Sequence, residues 1–221
     1  MNIVEQLIAT IAPHECLSCS SEGSLLCSDC YHTVAPYTSN CYRCKSASNR
    51  GICEQCVQYS PLDAVVCRTP LSHGAKELLH GLKFERQQAA AAPIGDMMAP
   101  LLRSLPLDVS IVPIPTASQR IRVRGYDQAE SIARVLATKI NRPLLPCLVR
   151  LGQSRQVGQG RATRALQMQG AFRVARDSQV GGATLLLVDD VLTTGSTIEA
   201  AAQTLRDAGA AHVYAATFAA A

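Results

Sequence analysis

Apolar positions recur along the chain with two periods, helical and strand-like, and the two alternate. Ile3, Leu7, Ile8 and Ile11 fall at helical spacing, broken by Glu5, Gln6 and Thr10, which predicts a short amphipathic helix. Leu62 to Val66 reads as a strand. Leu71 to Leu82 and Ile94 to Leu105 read as helices. Val109 to Pro113 reads as a short buried strand, cut off by Pro113 and Pro115. Asp127 opens a helix through an Asp-x-x-Glu capping box with Glu130. Ala129, Ile132, Ala133, Leu136 and Ile140 form its apolar face. Leu144 to Val149, Leu185 to Val188 and Val213 to Phe218 read as further strands, and a helix over 196–208 stops at Gly209. Strands alternating with helices of about 10–15 residues predict an α/β fold with a mostly parallel sheet covered on both faces.

Two stretches fall outside this rhythm. From Leu151 to Gln169 the chain is rich in Arg, Gln and Gly without periodicity, the mark of a long functional loop. Ahead of Tyr59-Ser60-Pro61, cysteines replace apolar periodicity. We therefore expect a cysteine module over 1–60 and an α/β domain over 61–221.

Apolar residues make up 48% of the 221, which excludes a disordered chain, while 4% aromatics and no Trp weigh against a base-stacking platform. No run approaches the ~18 apolar residues of a membrane span. No basic stretch precedes the first helix, so we expect no signal peptide and a cytoplasmic protein with reduced thiols. Of ten cysteines, eight lie between Cys16 and Cys56, and in a reducing compartment such a cluster points to metal before disulfides.

The eight form four C-x2-C pairs: Cys16/Cys19, Cys27/Cys30, Cys41/Cys44 and Cys53/Cys56. Two such turns complete a tetrahedron of thiolates, so four pairs make two structural zinc sites with no open position for catalysis. Iron is the competing metal in the same geometry. Adjacent pairing gives sites 16/19/27/30 and 41/44/53/56, two tandem ribbons. Interleaved pairing gives 16/19/41/44 and 27/30/53/56. The likeness of the two halves favours the first, and spacing permits both. His14 and His32 beside the ligands are read as solvated, and Cys67 and Cys147 as core residues.

The sharpest signal is Leu185-Leu186-Leu187-Val188-Asp189-Asp190-Val191-Leu192-Thr193-Thr194-Gly195-Ser196-Thr197. A buried strand runs into two carboxylates, then a hydroxyl-rich loop, then a helix start. Backbone N–H groups there can converge on an anion with help from the helix dipole. The acids lie where ligands bind in open α/β sheets and suit a sugar diol or a Mg2+–phosphate complex.

These residues resemble the 5-phosphoribosyl-1-pyrophosphate (PRPP) motif of type I phosphoribosyltransferases. The resemblance implies that Asp189 and Asp190 hold the ribose hydroxyls and act at the reacting centre. It implies that Thr193, Thr194, Gly195, Ser196 and Thr197 hold the 5′-phosphate. The cysteine pairs, Pro113-Ile114-Pro115 and Arg122-Val123-Arg124-Gly125-Tyr126-Asp127-Gln128-Ala129 narrow the match, with Asp127 where Asn is common. The whole chain resembles the ComF family of competence and DNA-utilisation proteins. That family implies a sheet of the type I phosphoribosyltransferase kind behind a small four-cysteine zinc-ribbon module. Its implied partners are PRPP with Mg2+, imported single-stranded DNA and a DNA-uptake helicase.

Charge is unevenly spread. Residues 120–176 carry twelve basic and two acidic side chains, whereas 1–119 and 177–221 are each net negative. Arg120, Arg122 and Arg124 alternate and would share one face of an extended loop, followed by Arg150, Arg155, Arg161 and Arg164. By the resemblance, the loop after Pro113 corresponds to the pyrophosphate loop and 151–169 to the flexible loop over PRPP. The arginines would neutralise leaving pyrophosphate or track successive phosphates of single-stranded DNA. Tyr126 is either a stacking residue or half-buried core. The expectation is a protein handling single-stranded DNA with a PRPP/Mg2+ site. The alternative is an active transferase that moves ribose 5-phosphate to a nucleobase-like acceptor.

Overall fold

The computed structural model describes residues 14–84, 88–151 and 170–221. The helix expected before Pro13, and Arg155, Arg161 and Arg164, lie outside the described residues. In chain order the elements are α1 (Ser28–Thr33), α2 (Glu54–Val57), β1 (Ala64–Pro70), α3 (His73–Phe84), α4 (Ala91–Met98), β2 (Ser110–Pro113), α5 (Ser118–Arg124) and α6 (Gln128–Lys139). Then come β3 (Leu148–Arg150), β4 (Phe172–Val174), β5 (Thr184–Leu192), α7 (Ser196–Asp207) and β6 (His212–Ala220).

β1, β6, β5 and β2 pair in that order, every pair parallel. β5 is apolar without alternation because both faces are covered. Leu185 and Leu187 pack on one side with Ile198, Ala201, Ala202 and Leu205 of α7. Leu186 and Val188 pack on the other with Leu78 and Leu82 of α3, Ile94 and Met97 of α4, and Ile132 and Leu136 of α6. The pleat continues past Val188, so Asp189 leaves on the α7 side and Asp190 on the α3 side.

Three elements depart from expectation. The helix expected to Leu105 is α4 followed by a 3-10 turn over Ala99–Leu102, because Pro100 has no N–H for the α ladder. The strand expected over Leu144 to Val149 is split by Pro146. Leu144 makes a lone parallel bridge to Ile111, and β3 pairs antiparallel with β4 in a separate two-stranded sheet. The extended loop expected around Arg120, Arg122 and Arg124 is the helix α5, closed by Gly125. Its alternation of Ile, Val and Arg imitates a strand, but the side chains are mostly exposed and the segment pairs with no strand among the described residues.

The cysteine region lies against β1. Val65 N–H donates to Arg50 O (2.8 Å) and Tyr37 N–H donates to Arg68 O (3.0 Å), so the edge strand is covered. Leu17, Leu26, Tyr31 and Val34 join the α3 side of the core, while Cys41, Tyr42 and Ile52 join the α7 side. The two halves of the region thus straddle the sheet edge.

Candidate functional site

The cysteines gather by adjacent pairing: Cys16, Cys19, Cys27 and Cys30 in one cluster, Cys41, Cys44, Cys53 and Cys56 in the other. Within each cluster the Sγ atoms lie within 4.8 Å of one another. Cys19 and Cys27 stand 3.6 Å apart and Cys44 and Cys53 3.5 Å apart, close to the ~3.8 Å edge of a tetrahedron with 2.3 Å zinc–sulfur bonds. All are free thiols, and these separations are too long for disulfides. The donor set could hold zinc in both places.

The two clusters are copies of one unit, offset by 25 residues at the leading cysteine pair and 26 at the second. Cys16 N–H donates to Ser21 O (2.8 Å) as Cys41 N–H does to Ser46 O (2.7 Å), and Ser20 and Lys45 both take positive φ. The turns polarise their sulfurs. Burial pushes the Cys16 thiol up, but backbone N–H groups led by that of Cys27 outweigh it and bring it down to about 6. The Ser46 hydroxyl and N–H bring Cys44 down to about 6. Cys53 and burial push Cys56 up to about 12.

At the carboxyl end of β5 the two acids have different surroundings. Asp190 Oδ2 is paired with Lys83 Nζ at 2.6 Å, from the last turn of α3. Asp189 Oδ1 accepts Asp190 N–H (2.9 Å). Burial, and then the charge of Asp190, holds the Asp189 carboxyl well above the usual carboxylate range, with Lys83 acting in the opposite sense. Arg150 feels the charge of Asp189: burial lowers its pKa, Arg120 lowers it further, and Asp189 and Asp127 oppose both. Its guanidinium lies 5.3 Å from the Phe172 ring centre and donates to Pro115 O (3.4 Å).

Thr193 to Thr197 form one continuous turn into α7. Gly195 takes φ +83°, Thr194 Oγ1 and Ser196 Oγ lie 2.9 Å apart, and Ser196 N–H donates to Thr194 Oγ1 (3.4 Å). The loop after Pro113 is held by Asp127. Its carboxylate accepts Thr116 N–H (2.7 Å) and the Thr116 hydroxyl (3.1 Å) while capping α6 through Ala129 N–H (3.0 Å). In helix α5, Arg120 and Arg124 share a face and Arg122 points away, because four residues advance ~400° and two only ~200°. Arg124 Nη1 donates to Gln128 Oε1 (2.8 Å). Tyr126 is half-buried, its hydroxyl donating to Leu82 O (2.6 Å), so it ties the junction between α5 and α6 to α3.

Sequence reasoning singled out neither Lys83 nor Tyr42. Lys83 reaches Asp190 across 107 positions of sequence, and no local pattern signals that pairing. Tyr42 does carry a local signal: an aromatic inside a C-x2-C turn where the first unit has Leu17.

The profile of the Phosphoribosyl transferase domain family matches residues 121–221. The chain is 30% identical to the DNA utilization protein YhgH of Salmonella typhi over 207 residues, 85% of this chain and 87% of that one. It is 26% identical to Competence protein F of Haemophilus influenzae over 196 residues, 83% of this chain and 85% of that one. It is also 32% identical to Competence protein ComFC of Bacillus subtilis over 101 residues, 46% of this chain and 40% of that one.

Proposed function

We propose that this chain, which belongs to the ComF family of competence and DNA-utilisation proteins, holds PRPP with Mg2+ at the carboxyl end of β5 and works on single-stranded DNA. The observation that carries the reading is the unbroken run from Asp189 and Asp190 into the Thr193–Thr197 turn at the start of α7. The amides and hydroxyls of that turn take the 5′-phosphate. The two carboxylates take the ribose hydroxyls and offer the hard oxygen ligands that Mg2+ requires. Bound Mg2+ would neutralise pyrophosphate oxygens. Lys83, paired with Asp190, and Arg150, within the field of Asp189, would meet the same charge. Both cysteine clusters hold zinc as closed structural sites.

The raised Asp189 carboxyl gives the test a sign. Its proton must leave before the carboxylate meets a cation, so PRPP–Mg2+ binding tightens as pH rises and releases a proton. Folding runs the opposite way: a raised folded-state value means stability falls as pH climbs from the unfolded value of ~3.9 through the folded one. Asp189→Asn is therefore expected to melt higher than the parent at neutral pH, by about 2–4 °C per kcal/mol of relief. It is also expected to lose the pH dependence of binding. Calorimetry with PRPP and Mg2+ in buffers of different protonation enthalpy reads both. No heat at millimolar PRPP at any pH would overturn the reading.

The arginines on one face of α5, Arg120 and Arg124, supply the contact with DNA phosphates. Replacing Arg120 and Arg124 together by Ala is expected to flatten the salt dependence of oligonucleotide binding by about 1–1.5 in log–log slope. Fluorescence anisotropy of a labelled single strand measures it, and an unchanged slope would remove α5 from the interface. Turnover is favoured by the paired cations at the site, because they stand where leaving-group charge would develop. Release of pyrophosphate from PRPP on adding DNA or nucleobases would establish it.

A further inference from the structure

The two cysteine units share a backbone plan but not a neighbour. In the first, Leu17 occupies the position after the leading cysteine and joins the apolar packing on the α3 side. In the second, that position is Tyr42, which is 2% exposed and stands against the turn from β5 into α7. A Cβ on Gly195 would lie 2.6 Å from Tyr42 Cδ2 and 2.8 Å from Cε2, so the ring lies directly on the glycine backbone. Beyond the ring, the Tyr42 hydroxyl donates to Glu199 Oε1 (2.7 Å) and lies 2.8 Å from Ser60 Oγ. Arg43 Nε lies 2.8 Å from the same Glu199 oxygen, and its Nη1 donates to Tyr59 O (2.9 Å). Glu199 N–H donates to Gly195 O (2.9 Å), closing the first turn of α7. At its other end Tyr42 is held by its own cluster: it directly follows Cys41, and its N–H donates to Gly51 O (2.9 Å).

We propose that Tyr42, with Arg43 and Glu199 behind it, is the positioning residue of the phosphate loop, and that the second cysteine cluster is the rigid seat that holds it. The turn at Thr194–Thr197 has few restraints of its own. Its ring contact and the Glu199 anchor both come from the Cys41–Cys44 turn, so metal loading of that cluster sets how well the loop amides are organised before a ligand arrives. The first cluster has no such link among the described residues. It packs instead toward the start of α3, where Thr33 and Val34 approach Gly74. The ligand half of this inference rests on the reading of that turn as a phosphate site; the structural half does not.

The experiment is hydrogen–deuterium exchange over 193–199 in the metal-loaded full chain, read beside PRPP calorimetry. Tyr42→Leu removes the ring and hydroxyl and is expected to lower protection of this segment at least tenfold. Tyr42→Phe keeps the ring and is expected to restore it to within about threefold of the parent. Cobalt substitution supplies the control: the thiolate-to-cobalt absorption of Tyr42→Leu stays that of the parent while the loop loosens. Equal protection in Tyr42→Leu and parent would overturn the inference. So would a loss confined to the cysteine turns. If Tyr42→Leu does not fold, Glu199→Ala decides, since it removes the acceptor shared by Tyr42 and Arg43. A threefold or greater loss of protection at 195–199 is expected there, and no change would count against the strut. PRPP affinity should fall with protection across the series. Loosening of the loop in a protein that binds no PRPP at all would retain the strut and discard the ligand.

Discussion

Chelating metal from the two cysteine clusters is expected to unfold the amino-terminal region and carry much of the α/β core with it. Each cluster holds four sulfurs within 4.8 Å, and four thiolates that close repel one another unless a cation sits between them. A structural zinc site contributes about 10–16 kcal/mol in apparent terms, as much as the whole stability of an ordinary domain, about 5–15 kcal/mol. The region is not an appendage that can melt alone. Cys41, Tyr42 and Ile52 share a core cluster with Leu185, Leu187 and Ile198, and the Arg50–Val65 contact covers the edge of β1. Losing the metal uncovers that edge and the apolar face behind it, so aggregation should follow. Metal analysis is expected to give two zinc ions per chain. Thermal denaturation with a strong chelator is expected to show a fall of more than 10 °C or no transition. A chelated protein melting within a few degrees of the loaded one would show that the metal is not structural, and iron in the purified protein would displace zinc.

Much of this arrangement was legible in the sequence because it is local. Leu185 to Thr197 spells strand, acids, loop and helix in consecutive residues; the structure differs in that β5 runs on through both acids to Leu192, still paired with β6, before the turn into α7. Asp127 announced its cap, although Glu130 does not return the bond as a full capping box would: its carboxylate pairs with Arg134 at 2.5 Å. The tandem cysteine units were legible as copies, and adjacent pairing follows from each copy closing on itself. What the sequence concealed lies in pairings between distant segments. Lys83 meets Asp190, and Tyr42 meets Gly195 and Glu199, across gaps of more than a hundred residues that only the packed sheet closes. Residues 118–124 misled for another reason. Period-2 alternation indicates a strand only when the segment pairs with a sheet, and these residues, among which Gln119 and the three arginines are good helix formers, close their own turns instead.

Gly51→Ala is the single substitution expected to damage the fold most. Gly51 lies between Ile52, which enters the core, and Arg50, whose carbonyl accepts Val65 N–H (2.8 Å). It takes φ +66°, and a Cβ there would lie 1.8 Å from Val65 O and 2.8 Å from Val65 C. The obstacle is backbone of β1, not the tip of a side chain, so no rotamer change relieves it. Either the Arg50–Val65 contact opens or β1 shifts against β6. The left-handed conformation adds a penalty of about 1–2 kcal/mol for any residue with a Cβ. Together these place the loss at about 3–5 kcal/mol, a large share of a domain's stability. The damage should travel, because Gly51 O also accepts the N–H of Tyr42, and with it the loop at Gly195 would loosen. Gly181→Ala is the matched control: a Cβ there meets nothing within 4 Å, and a change within about 0.5 kcal/mol is expected. Denaturant titration of both metal-loaded variants measures the contrast. A Gly51→Ala midpoint close to that of Gly181→Ala would mean that the second cysteine unit does not bear on β1, and the route from that cluster to the turn at Gly195 would have to run elsewhere.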